Sequence, residues 1–307
     1  MNTELEQIVS EVGKVVKGKD DVIRKVLAAV LAGGHVLLED IPGVGKTTLA
    51  MALGKSMELE YRRMQFTPDV LPSDIVGFTM YNSGTREFEY KQGAVFCNLF
   101  LADELNRTSS KTQSALLEVM EESRVTVDGI SYPLPSPFTV IATENPFGSS
   151  GTQLLPESQL DRFLICLSVG YPSHEAAVDI LKNSTSGGLE QVGSVISGER
   201  LLELRKLAET LHVEDSIYEY LTQLTEATRQ HPHIALGVSP RGGIALLKMA
   251  RAMALMRGGE YVIPEDVLAV IDDVWRHRIH LNSKAKAEGM DVSDIILEIT
   301  ERIHAVR

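Results

Sequence analysis

Basic charge is in short supply. Lys and Arg total 30 against 42 Asp and Glu, a formal net charge of −12 at pH 7. Nucleic-acid binders usually carry a basic patch or domain. Here only short basic spots occur, Arg62-Arg63 and Arg276-His277-Arg278, so nucleic acid is not the expected partner. Cysteine is nearly absent. Cys97 and Cys166 are too few for a disulfide framework and lack zinc-site spacing, which leaves them as buried apolar filler. Long apolar runs are missing too. The richest stretch, Val26 to Leu38, is interrupted by Gly33, Gly34 and His35 and falls short of the ~18 residues of a membrane span. The opening residues Met1 to Gln7 show no basic segment followed by an apolar one, so no secretory signal is read and the expected location is cytoplasmic. There is no internal repeat and no low-complexity tract. What is present is 307 residues with 44% hydrophobic content, enough for a packed core and about two domains.

The most informative segment runs from His35 to Thr48. An apolar run, Val36 to Leu38, enters a glycine-bearing loop that ends in Gly45-Lys46-Thr47, and a helical pattern follows. This is the layout of a phosphate-binding loop. Triphosphate oxygens need several donors at close range, and backbone N–H groups are their densest source. Gly43 and Gly45 let the chain curl around a phosphate at positive φ. The free N–H groups opening the next helix, and its dipole, favour the anion. Lys46 can reach the β- and γ-phosphates and the Thr47 hydroxyl can bind Mg²⁺. The candidate nucleotide-binding residues here are Pro42, Gly43, Val44, Gly45, Lys46, Thr47 and Thr48. One departure is Asp40, where the usual pattern has its first glycine.

Val22, Ile23, Val26, Leu27, Val30 and Leu31 form one face of a helix stopped by Gly33-Gly34. Short apolar runs at Asn98 to Ala102, Phe138 to Thr143 and Phe163 to Val169 read as buried strands, with helical patterns between them, notably Lys111 to Glu122. Strand–helix alternation predicts an α/β fold with a largely parallel sheet wrapped by helices. Two stretches read as hairpins, residues 81–92 and residues 124–131, the second around Asp128-Gly129. After Tyr171-Pro172 the pattern is nearly all helical, which predicts domains at 1–172 and 173–307.

Ligands of an α/β sheet sit beyond the C-terminal ends of its strands. Leu99 to Glu104 is an apolar run ending in two acids there: Asp103 suits a Mg²⁺ shell and Glu104 suits polarisation of an attacking water. Asn145, at the tip of Val140 to Thr143, can hydrogen-bond the γ-phosphate or the water, although Asn-Pro also favours a plain turn. Arg162, just before an apolar run, could reach a neighbouring subunit's nucleotide as an arginine finger, or pair with Asp161 at the surface. Ser239-Pro240-Arg241 opens a long helix with Ser239 as N-cap and Pro240 at the first position. Arg241 then stands at the wrong end of the helix dipole for a cation unless an anion or an acid compensates it. His277 and His280 lack the acid or cysteine neighbours of a metal site, and Met249, Met253 and Met256 read as helical core.

Taken in order, these motifs resemble the AAA+ ATPases and, within them, the MoxR family. The resemblance is carried by residues 33–39, 65–69, 71–77, 103–107, 111–118, 155–163 and 239–241 and covers nearly the whole chain. It implies an AAA+ core with a C-terminal helical lid, ATP and Mg²⁺ at their junction, and usually a hexameric ring. It implies Walker A at Lys46 and Thr47, Walker B at Asp103 and Glu104, sensor 1 at Asn145, the arginine finger at Arg162 and sensor 2 at Arg241. Val16-Lys17-Gly18 resembles the segment lining the adenine pocket, with Val16 and Gly18 as its contacts. The implied activity is ATP hydrolysis driving chaperone-like remodelling, metal insertion or complex maturation, often with a von Willebrand factor A-domain protein. A nucleotide-gated scaffold and a magnesium-chelatase-like motor subunit are the alternatives. Ser109-Ser110 stands where many relatives have Pro-Pro, and Glu144 where many have Gln.

Overall fold

The computed structural model describes residues 3–39, 43–145, 155–182 and 188–303. The first half alternates as expected. Helices α1 (Thr3–Gly13) and α2 (Asp20–Leu31) lead into β1 (Val36–Glu39), α3 (Lys46–Ser56) and β2 (Tyr61–Gln65). Next come α4 (Pro72–Val76), the hairpin β3 (Gly77–Asn82) and β4 (Glu87–Gln92), β5 (Leu99–Asp103) and α5 (Ser110–Glu122). A second hairpin, β6 (Arg124–Val127) and β7 (Ile130–Pro133), precedes β8 (Thr139–Glu144), α6 (Glu157–Leu160) and β9 (Ile165–Leu167).

Among the described residues, five strands form one parallel sheet in the order β2-β5-β8-β1-β9. Alternation along each strand divides the side chains between two layers. Val36 and Leu38 join the apolar cluster with α1, α2 and α3 on one face, while Leu37, Phe100, Val140 and Cys166 join α5 on the other. Strand β2 is the difference from the sequence reading. Its Tyr-Arg-Arg-Met-Gln run has no apolar pattern, because it is an edge strand that pairs only with β5 and leaves Arg62 and Arg63 exposed.

The C-terminal half comprises α7 (His174–Lys182), α8 (Gly198–Glu209), α9 (Asp215–Gln230), β10 (Ile234–Leu236) and α10 (Pro240–Arg257). It continues through α11 (Pro264–Leu268), α12 (Ile271–Trp275), β11 (His280–Leu281), α13 (Ser283–Ala287) and α14 (Val292–Arg302). The small antiparallel pair β10–β11 was not foreseen. The apolar cluster beneath α1–α3 runs unbroken into Leu201, Leu246, Met249 and Trp275. Several cations tie this half to the first, Arg205, Lys25 and Arg278 among them. Arg205 donates to the Val30 carbonyl at 2.8 Å and to Thr139 Oγ1 at 2.9 Å. Lys25 on α2 pairs with Asp273 on α12 at 2.8 Å. Arg278 donates to Asp161 Oδ1 at 2.7 Å and to the Phe163 carbonyl at 2.6 Å.

Candidate active site

The phosphate-loop residues, the paired acids and Asn145 are far apart in sequence, yet β5, β8 and β1 are neighbours in the sheet and all run the same way. Their C-terminal ends therefore open onto one cavity of about 360 Å³. Gly43, Gly45, Lys46, Thr47, Thr48, Asp103, Glu104 and Asn145 line it, joined by Arg63 and Gln65 from β2. Gly43 and Gly45 have φ of 88° and 95°. A Cβ at either would meet nothing within 4 Å, so glycine is required there by backbone conformation and not by crowding. Gly45 is the N-cap of α3, whose first residue, Lys46, is buried. Pro42, like Asp40, lies outside the described residues. Val44 packs partly buried against the core, and Val16 is buried in it. Gly18 stands against Ser173 and Ala176. None of these three is among the residues lining the cavity.

The acids are held by groups to which the sequence reading assigned no role. Thr143 Oγ1 on β8 donates to Asp103 Oδ1 at 2.6 Å and accepts from the Glu104 backbone N–H at 2.8 Å. Arg63 donates to Asp103 Oδ2 through Nη2 at 2.7 Å and Nε at 3.1 Å. Glu104 has left-handed backbone angles, φ 57° and ψ 48°. Such a conformation costs on the order of 1–3 kcal/mol in a non-glycine residue. It ends the strand alternation, so adjacent Asp103 and Glu104 both face the cavity. The Glu104 carboxylate accepts from Arg107 Nη1 at 2.6 Å, and Asn106 Nδ2 bonds the Asn145 carbonyl at 3.0 Å. Glu144, opposite Glu39 in the register, is buried with one carboxylate oxygen lacking a partner. Burial and then the charge of Glu39 push its pKa up to about 7.

Arg162 and Arg241 stand elsewhere. They line a second cavity of about 250 Å³, with Glu121 at the end of α5 and with Lys248, Arg278 and His35. Arg241 Nη2 bonds Glu121 Oε1 at 2.9 Å, and Arg162 Nη1 lies 3.2 Å from Glu121 Oε2 and donates to the Leu117 carbonyl at 2.8 Å. Ser239 does cap α10, accepting from the Gly242 N–H, and Arg241 meets an acid in the first turn as its dipole position requires. Asp161 pairs with Arg278, not with Arg162, and Arg241, in the first turn of α10, lines the cavity with Glu121 and not the cavity of its own phosphate loop. His35 accepts from the Val140 N–H at Nδ1 and donates from Nε2 to the Met120 carbonyl, both at 2.9 Å. Burial pushes its pKa down to about 4. His277 is likewise buried, and no group of metal-ligating side chains occurs among the described residues.

The description "ATPase family associated with various cellular activities (AAA)" matches residues 35–165, and "AAA lid domain" matches residues 226–299. The chaperone MoxR1 of Mycobacterium tuberculosis is 39% identical over 97% of this chain and 81% of its own length. The chain belongs to the MoxR family of AAA+ ATPases. It is also 48% identical to the uncharacterized protein YeaC of Bacillus subtilis, over 97% of this chain and 94% of that protein. A crystal structure of a "putative ATPase" from Cytophaga hutchinsonii superposes with a TM-score of 0.92 at 39% identity, covering 99% of this chain and 95% of that one. The MoxR-type α/β core with a helical lid accounts for the sheet order and for the cavity at its C-terminal edge. Among the described residues no helix is long and apolar enough to cross a membrane.

Proposed function

We propose that this chain binds and hydrolyses ATP and uses the cycle for chaperone-like remodelling of partner proteins. The observation that carries the reading is the meeting of Gly43–Thr48, Asp103, Glu104 and Asn145 in one cavity from three adjacent parallel strands. The donor set fits a magnesium triphosphate. Two left-handed glycines and the N-terminus of α3 suit an anion, and a buried carboxylate and the Thr47 hydroxyl share the cavity as hard oxygen ligands. Thr47 and Asp103 would hold Mg²⁺, which supplies charge neutralisation on the phosphate oxygens. Lys46 binds phosphate oxygens. Glu104 orients the attacking water and takes its proton, and Asn145 fixes the position of the water or the γ-phosphate. Thr143 keeps Asp103 and Glu104 in register, and Arg63 must release Asp103 Oδ2 before that oxygen can serve a metal shell.

Arg162 and Arg241 act together on the nucleotide of the next subunit. Both sit on Glu121 in a cavity separate from their own phosphate loop, which supports a trans role for each. A head-to-tail contact that joins the two cavities closes into a ring. The clamps at Arg205, Lys25 and Arg278 favour motion between subunits over motion of the lid on its own core. The division at 172, a hexameric ring, a cytoplasmic location, an adenine pocket at Val16 and Gly18, and a von Willebrand factor A-domain partner complete the proposal on the strength of the family resemblance.

Steady-state ATPase measurements test it. Lys46→Ala loses nucleotide binding, and Glu104→Gln keeps binding and loses turnover. Arg162→Ala keeps binding and loses up to ~10³–10⁵ in rate. Mixing Arg162→Ala with Lys46→Ala subunits restores part of the rate, because an intact phosphate loop can then face an intact arginine. Wild-type turnover in Glu104→Gln would overturn the assignment of the acids.

A further inference from the structure

Glu121 is the one acid that touches both Arg162 and Arg241 among the described residues. Its two carboxylate oxygens are divided between them, Oε2 to Arg162 at 3.2 Å and Oε1 to Arg241 at 2.9 Å. The arginines come from different parts of the chain, the segment before β9 and the first turn of α10 in the lid. Glu121 lies in the last turn of α5, where His35, which receives the Val140 N–H, donates to the carbonyl of Met120, the residue before it. Arg162 is braced from the other side by the Leu117 carbonyl. Its neighbour Asp161 pairs through Oδ1 with Arg278 instead, at 2.7 Å. The pairing thus lies at the point where the core and the lid present their cations to a common cavity.

We propose that Glu121 is the intrachain competitor for the two arginines: it holds both guanidiniums in place and yields them to the polyphosphate of a second copy of this chain. The inference rests on the trans reading of Arg162 and Arg241 given above. Two physical points favour release over permanent pairing. All three side chains are substantially exposed, at 42% for Glu121, 31% for Arg162 and 52% for Arg241, and ion pairs at such positions are weak. A triphosphate offers several oxygens and more than one negative charge to two forked donors, whereas Glu121 offers two oxygens and one charge. Glu121 also keeps the arginines from repelling each other, so the cationic wall is preformed and needs only an exchange of anion. It is a positioning residue, acting through Arg162 and Arg241 and not on the reacting atoms.

The test measures subunit association by sedimentation, with ATP and in the slowly hydrolysing Glu104→Gln background, for Glu121→Gln alone and combined with Arg162→Ala and Arg241→Ala. Glu121→Gln keeps the shape of the side chain and removes the competing charge. The half-association concentration in ATP should fall roughly 2- to 30-fold, the range set by two exposed ion pairs. With both arginines removed, Glu121→Gln should shift nothing, an outcome that a merely structural Glu121 would not produce. An unchanged or raised half-association concentration in Glu121→Gln, with the arginine single variants weakened as the trans reading requires, would overturn the competitor role. Arginine single variants that associate and turn over like the parent would instead overturn the trans reading itself.

Discussion

Replacing Thr143 by Val isolates the hydroxyl that organises the two acids. Thr143 is fully buried, and Val has nearly its shape, so the substitution removes two hydrogen bonds and little packing. The Glu104 N–H, at 2.8 Å from Oγ1, becomes a donor without a partner in a part-buried position, at a cost of about 1–3 kcal/mol. Asp103 Oδ1 loses a short bond of 2.6 Å to an ionised group, worth about 1.5–3 kcal/mol. Arg63 still holds the other oxygen and softens the second loss. The expected destabilisation is about 2–5 kcal/mol, read as a lower urea midpoint at unchanged slope. Thr143→Ser keeps the hydroxyl, loses one methyl and should cost only about 1 kcal/mol. ATPase activity should fall in Thr143→Val and largely survive in Thr143→Ser, since only the former frees the carboxylates from their register. A Val variant within about 0.5 kcal/mol of the parent, or a Ser variant as unstable as the Val one, would refute the bridging role.

Glu144 carries a pH signature. Its folded pKa of about 7 lies above the ordinary 4.5, so the folded chain binds the proton more tightly and the ionised form becomes a burden as pH rises through that window. Glu144→Gln should therefore gain about 2–3 kcal/mol relative to the parent between pH 5 and pH 8, measured by denaturant titration at both pH values, and a pH-independent difference would contradict the assignment. His35 has the opposite shift. With a folded pKa near 4 against 6.5, the unfolded chain takes up the proton first, so stability present above pH 6.5 drains away as pH falls towards 4, by up to about 3 kcal/mol. The acid limb of the stability profile should be shallower in His35→Gln, and identical limbs would count against the neutral, doubly bonded ring.

The phosphate loop, the strand ending in Asp103-Glu104 and the Asp128-Gly129 hairpin were legible because each is local. A loop needs its glycines within a few residues, a buried strand needs an unbroken apolar run, and a tight turn needs residues that tolerate positive φ, as Asp128 and Gly129 do at 50° and 79°. The N-cap of α5 is local as well: Ser109 accepts from the Thr112 N–H. Strand β2 was missed because edge pairing lets a strand carry Arg62 and Arg63 without alternation. Arg63, Thr143 and Glu121 carried no signal at all. Each matters through a partner about 40 to 120 positions away, Asp103 for the first two and Arg162 and Arg241 for the third.

By itself the sequence determined the chemistry on offer: a glycine loop with Lys46 and Thr47, two acids at a strand end, a polar tip at Asn145, and two arginines placed where a cation invites explanation. Backbone conformation and short-range spacing dictate those features, and both are written in neighbouring residues. Tertiary structure alone decided their grouping. The strand order β2-β5-β8-β1-β9 puts three chain-distant strand ends side by side and draws Arg63 onto Asp103. Packing of α10 against α2 and α8 brings Arg241 to Glu121 beside Arg162, in a cavity apart from its own phosphate loop. Sheet order and helix docking are set by burial summed over the whole chain, and no local window of residues contains that sum.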